Sequence, residues 1–123
     1  MNLSREQILN IDDLVQTLRR RRNKELEEAV NGERYIYNLE DQMRLVAELN
    51  ATHNHICSVL AADHDEANIY CCLKHMATAY VLSNEVDGDC KEVMDIIELL
   101  TNGKIKACQA CSDDVDQLIK EEE

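Results

Sequence analysis

Apolar side chains recur three and four positions apart along most of the chain, and the rhythm stops at only a few places. Ile8, Ile11, Leu14, Val15 and Leu18 share one helical face, and Leu26 and Val30 resume it. Ser4 followed by Gln7 has the capping-box spacing that opens such a helix, and Asn31-Gly32 closes it. A second helix is predicted from about Tyr35 to Ala62, with Ile36, Leu39, Met43, Val46, Asn50, His53, Cys57 and Leu60 forming a coiled-coil-like seam. After the Asp63-His64-Asp65 break, a third is predicted from about Asp65 to Val86; its run IYCCLKHMATAYVL has little polar surface and marks the most buried helix. Asp87-Gly88-Asp89 turns the chain into a fourth helix, capped by Asp89 with Glu92 and carrying Val93, Ile96, Ile97 and Leu100, and Asn102-Gly103 stops it. A last helix from about Lys104 sets Ile105, Cys108, Val115 and Leu118 on one stripe and frays over residues 120–123.

The pattern predicts an all-α fold: one helical domain over residues 1–123, a bundle of about five helices with a long N-terminal antiparallel helical hairpin. A hairpin that protrudes with an aliphatic seam predicts a homo-oligomer. Composition agrees with helices rather than sheets. Hydrophobic residues make up 45% of the 123 positions, yet there is no Phe, Trp or Pro and only three Gly for turns.

Charge narrows the function. Thirteen basic against 25 acidic residues leave a net charge of −12, a field that repels phosphate backbones and anionic membranes and attracts basic partners. Direct nucleic-acid reading and membrane binding are therefore not expected. The N-terminal MNLSREQILNIDDL mixes charge into what a secretory signal would keep apolar, so a cytoplasmic protein with reduced cysteines is expected.

Six cysteines and four histidines raise the question of metal. His53 and His75 lie eleven positions on either side of residue 64, and Cys57 and Cys71 lie seven, so an antiparallel helix pair turning at residue 64 would place all four in adjoining layers. Each helix would supply a His and a Cys at i, i+4 spacing, the donor set of a closed structural zinc site. The competing reading is ordinary core, with no cofactor, since free Cys is commonly buried. Cys108 and Cys111 form a CxxC without the preceding strand of a redox motif and read as the inner face of a helix.

The leading functional expectation is a non-enzymatic interaction or inhibitor protein that binds a basic protein surface. Its carboxylates at Glu85, Asp87, Asp89, Glu92, Asp95, Glu98, Asp113, Asp114 and Asp116 would form the contact. A second candidate is a pocket for an anionic nucleotide, in which Arg19, Arg20, Arg21 and Arg22 hold phosphate while Tyr35 or Tyr37 stacks on a base. Four consecutive arginines form a ring around a helix rather than one face, and Glu25, Glu27 and Glu28 lie within pairing reach.

Two resemblances bear on the alternatives. Glu25 with Glu28 and Glu92 with Asp95 are similar to the paired acidic motifs of the all-α nucleotide pyrophosphohydrolases, which would imply magnesium-dependent nucleotide hydrolysis. The stretch from Tyr35 to Val86, a helical hairpin preceded by Tyr and an acidic cap, resembles small phage-encoded helical proteins that sequester cyclic-nucleotide signals of bacterial immunity. That likeness implies an oligomeric sponge without catalysis.

Overall fold

In a computed structural model of the protein, which describes residues 2–63, 65–86, 90–105 and 117, the capping box at Ser4 forms. The Ser4 hydroxyl accepts from the Gln7 amide at 3.2 Å, and the Gln7 side chain accepts from the Ser4 amide at 2.8 Å. Together they satisfy two of the donors that a helix start leaves open. Helix α1 (Arg5–Val30) follows and ends at Asn31, where Gly32 takes a φ of +78°, the left-handed conformation that Gly adopts without steric cost. Helices α2 (Leu39–Ala61), α3 (Cys72–Val86) and α4 (Lys91–Leu100) follow in chain order. Among the described residues the fold is all-α apart from a two-residue antiparallel pair, β1 (Leu3–Ser4) with β2 (Glu66–Ala67).

That small pair corrects the expected start of the third helix. Residues 65–71 do not continue a helix; they run back across the start of α1, where the Arg5 amide donates to the Asp65 carbonyl at 2.9 Å. Ile69 is buried from this non-helical segment, so its apolar character read as helix when it was a loop plugging the core. Of the expected fifth helix, only Lys104, Ile105 and Gln117 fall among the described residues; Cys108, Cys111, Val115 and Leu118 lie outside them. Cys90, not Asp89, stands directly before α4, and its side chain makes no capping bond.

Each helix packs antiparallel to its neighbours. Gln42 Nε2 of α2 donates to the Arg22 carbonyl of α1 at 2.9 Å, and further along α2 His53 meets Asp12, earlier in α1, at 2.8 Å. Thr52 of α2 donates to Met76 Sδ of α3 at 3.5 Å, and α4 packs against both α1 and α3. The core formed between them is aliphatic: Ile8, Ile11, Val15 and Leu18 from α1 meet Leu45, Leu49 and Ile56 from α2, Leu73 and Met76 from α3, and Ile96 and Ile97 from α4. Burying each such side chain contributes about 1.5–3 kcal/mol relative to leaving it in water.

The seam of α2 is displaced by one residue from the predicted one. Gln42, Leu45, Leu49, Thr52 and Ile56 are buried, and of the predicted seam Val46 is buried with them, whereas Met43 is 55% exposed and Cys57 is exposed. One position is about 100° of rotation, enough to turn a whole face from core to flank. The polar side chains at Gln42 and Thr52 hide the true stripe. Each has a donor paired nearby, Gln42 Nε2 with the Arg22 carbonyl and the Thr52 hydroxyl with the Glu48 carbonyl at 3.0 Å, which offsets part of the cost of burying them. Among the described residues no helix is long and apolar enough to cross a membrane.

Candidate functional site

The rotated seam decides where the His and Cys side chains go. His53, Cys57, Cys71 and His75 do not assemble into the four-donor layer that the mirror spacing predicts. Equal distance from the turn fixes the height of a residue along a helix but not its direction. Thr52 takes the inward place opposite Met76, which leaves His53 and Cys57 turned towards α1. His75 lies on the outer flank and donates from Nδ1 to Glu48 Oε2 at 2.6 Å.

Two three-residue groups form instead. In the first, buried Asp12 accepts from His53 Nδ1 at 2.8 Å through one oxygen and from Gln16 Nε2 at 2.8 Å through the other. Nε2 of the neutral ring then carries the lone pair. Cys57 Sγ sits 3.5 Å from Nε2 and 3.8 Å from Nδ1. In composition this is an orienting acid, a base and a thiol. Proton transfer needs the sulfur in the ring plane along the Nε2 lone pair, a position that would leave Nδ1 far more distant. Near-equal distances place Sγ against the Cε1 edge or face of the ring, so the trio is not arranged as a nucleophile with its base. The two hydrogen bonds to buried Asp12 support the fold: Asp12→Ala is expected to cost about 1–3 kcal/mol by stranding its partners, against about 0.5 kcal/mol or less for exposed Asp13→Ala, as measured by denaturant unfolding.

The second group joins the C-terminal part of α2 to the start of α3. Cys71 Sγ lies 3.0 Å from His55 Nε2, and Cys72 Sγ is within 4.8 Å of both. Cys71 is exposed and His55 half-buried, while Cys72 is buried in the core cluster, which pushes its thiol pKa up to about 12, with the neighbouring Cys71 adding to the effect. Helical i, i+4 spacing points to neither His55 nor Cys72 as partners of Cys71. Cys71 and Cys72 are consecutive at a loop–helix junction, where no periodicity applies.

The arginine run spreads around α1 as a ring should. Arg19 reaches Asn50 at 3.4 Å, Arg20 reaches Gln16 at 3.0 Å, Arg21 pairs with Glu92, and Arg22 is buried beside Glu25 at 3.3 Å. Of the four, Arg22 alone lines a hollow of about 140 Å³ at the end where α1 passes into α2, together with Glu25, Arg34, Tyr35, Ile36, Tyr37, Gln42 and Val86. Arg34 is itself held by Glu28 at 3.0 Å. The Gln42 Oε1 atom is buried there without a hydrogen-bond partner.

This same end carries the most exposed of the large apolar side chains among the described residues, although Leu9, Leu14, Val81 and Leu99 are also exposed elsewhere on the bundle. Val30 is 74% exposed, Tyr35 84% and Tyr37 80%, and Leu39 and Met43 continue the patch. Tyr35 and Tyr37 precede α2 instead of opening it, so the tyrosines stand out from the bundle. The end of α3 is tied alongside, because Asn38 Nδ2 donates to the Glu85 carbonyl at 2.5 Å. Between residues 27 and 44, five acids, Glu27, Glu28, Glu33, Glu40 and Asp41, outnumber Arg34 and Arg44, and both arginines are ion-paired.

The acidic residues expected to form one contact are dispersed. Glu85 is exposed beside the tyrosines, Glu92 is held by Arg21, and Asp95 and Glu98 are half-buried; Asp87, Asp89, Asp113, Asp114 and Asp116 lie outside the described residues. Glu25 with Glu28 and Glu92 with Asp95 do not gather into one carboxylate site among the described residues, and arginines occupy Glu25, Glu28 and Glu92. Comparison with protein-family models, with curated proteins and with solved structures finds no match to the chain, which leaves its own surfaces to indicate what it binds.

Proposed function

We propose that the protein is a non-enzymatic interaction module that grips a basic protein surface with the end of the bundle where α1 passes into α2. The observation that carries this reading is the pair of outward-standing tyrosines, Tyr35 and Tyr37, in the connection before α2, with the exposed acids Glu33 and Glu40 close to them in the chain. Tyr has a large rigid body with a hydrogen-bonding tip and is enriched among the residues that dominate binding energy. Here the other two of the four tyrosines, Tyr70 and Tyr80, are packed against the core. The exposed acids Glu27, Glu33, Glu40 and Glu85 lie at the same end of the bundle, and the net charge of −12 adds long-range attraction for a cationic partner.

An anionic nucleotide fits the same end less well. The hollow of about 140 Å³ is smaller than the roughly 300–1,000 Å³ of small-molecule sites. Its two arginines already hold Glu25 and Glu28, so an incoming phosphate would compete with carboxylates inside the site. A broad contact surface needs no such exchange.

Selection from a random peptide display library on the immobilised chain tests the proposal. Enrichment of Lys- and Arg-rich peptides that also carry aliphatic or aromatic residues, with association slowed by salt, is the outcome expected. Failure to enrich any peptide, or enrichment of acidic ones, would overturn it. Light scattering on the free chain separates self-association through this end from recognition of a different partner.

A further inference from the structure

The geometry points to a metal site for a thiophilic cation of the zinc class, formed by His55 Nε2, Cys71 Sγ and Cys72 Sγ at the junction of α2 with the start of α3. It is distinct from the four-residue layer suggested by the mirror spacing and shares only Cys71 with it.

Three observations converge. The donor atoms of all three side chains lie within 4.8 Å of one another. Zinc bonds of about 2.3 Å to sulfur and about 2.0–2.1 Å to nitrogen, at a tetrahedral angle, place those two donors about 3.5 Å apart. The His55–Cys71 separation of 3.0 Å therefore needs only a small side-chain adjustment to admit the ion. Next, the backbone brings both thiols to one place, with Cys72 opening α3 and Cys71 directly before it, at a junction that faces His55 of α2; burial opposes a free thiolate at Cys72, so its proton would leave only as the ion binds. Finally, the donor set is chemically selective. Two thiolates and an imidazole suit zinc and exclude magnesium or calcium, which take oxygen ligands.

The arrangement also has a rigid side and an open side. Cys72 is locked into the core cluster, whereas Cys71 is exposed and His55 half-buried. The protein thus supplies three ligands from a fixed base and leaves the fourth position facing solvent, for water or a group from a partner. Two thiolates and a neutral imidazole balance the divalent charge, with the two displaced thiol protons passing to solvent. The site would clamp the end of the non-helical segment after β2 onto α2, beside the anchorage that buried Ile69 already gives that segment.

The test is titration of the reduced, metal-stripped full chain with Co²⁺ followed by Zn²⁺. One equivalent of Co²⁺ is expected to give thiolate-to-cobalt charge-transfer absorption that Zn²⁺ abolishes. Cys71→Ser and His55→Ala, which alter an exposed and a half-buried side chain, should each weaken zinc binding at least 100-fold in competition with a chromophoric chelator while the circular dichroism of the fold is retained. Cys57→Ser and the Cys108→Ser, Cys111→Ser double variant should leave binding unchanged. Absence of the charge-transfer band at one equivalent, or a band that survives both Cys71→Ser and His55→Ala, would overturn the assignment.

Discussion

Leu49→Ala is expected to lower the unfolding free energy by about 2–5 kcal/mol, while Met43→Ala changes it by about 0.5 kcal/mol or less. Leu49 is fully buried at the centre of α2, whereas Met43, six positions earlier, is 55% exposed. Both replacements put a good helix former into the same helix, so helix propensity does not separate them. What separates them is the cavity left when Leu49 loses its side chain among the aliphatic residues of the neighbouring helices. A domain of this size holds only about 5–15 kcal/mol in total, so Leu49→Ala should cost a large part of it. Urea unfolding with a two-state fit measures both variants. Equal losses at the two positions would mean that α2 faces the core with the other seam.

The second large effect is expected at the bundle end. Replacing both Tyr35 and Tyr37 by alanine should weaken binding to a selected basic peptide by a hundredfold or more, since anchoring residues contribute about 2 kcal/mol or more each and every 1.4 kcal/mol is a factor of ten. Most of the loss should appear as faster dissociation, because the tyrosines act after encounter; replacing Glu33 and Glu40 by glutamine should instead slow association and flatten its salt dependence. The fold should be untouched by the tyrosine variants, as side chains about four-fifths exposed contribute little to the core. Biosensor kinetics paired with thermal unfolding read both quantities.

Where a cap or a left-handed turn residue marks a helix end, the sequence revealed it better than it revealed helix faces. Ser4 with Gln7, Asn31-Gly32 and Asn102-Gly103 mark real boundaries because each meets a local backbone demand, a cap or a left-handed residue, that the rest of the fold cannot alter. The orientation of α2 depends on what its neighbours offer. Gln42 and Thr52 look like surface residues until the Arg22 and Glu48 carbonyls are in place, and only then does the stripe through Leu45, Leu49 and Ile56 become the core face. The start of α3 was hidden for a related reason. Ile69, Tyr70, Cys71 and Cys72 form a continuous apolar run, and periodicity cannot tell a buried helix from a buried loop over so short a stretch.

The candidate sites divide in the same way. His53 and Cys71 were visible as chemically distinctive residues, but their partners, Asp12 across the helix pair and His55 across the loop, follow from the rotation of α2 and the late start of α3. Tyr35 and Tyr37 looked like the first turn of the second helix. Their exposure follows from α2 beginning only at Leu39, which leaves them in the connection and free of the hydrophobic seam. Surface charge, by contrast, was readable from composition alone, although Arg21 on Glu92 and Arg34 on Glu28 show how much of it is spent within the molecule.

The most direct test of the binding surface is amide hydrogen exchange of the full chain with and without a saturating, library-selected basic peptide. Slower exchange concentrated over residues 30–43, with a smaller effect at the end of α3 near Glu85, is the predicted footprint. Protection confined to α4, with residues 30–43 unchanged, would contradict the reading and place the partner on the carboxylates of Glu92, Asp95 and Glu98 instead.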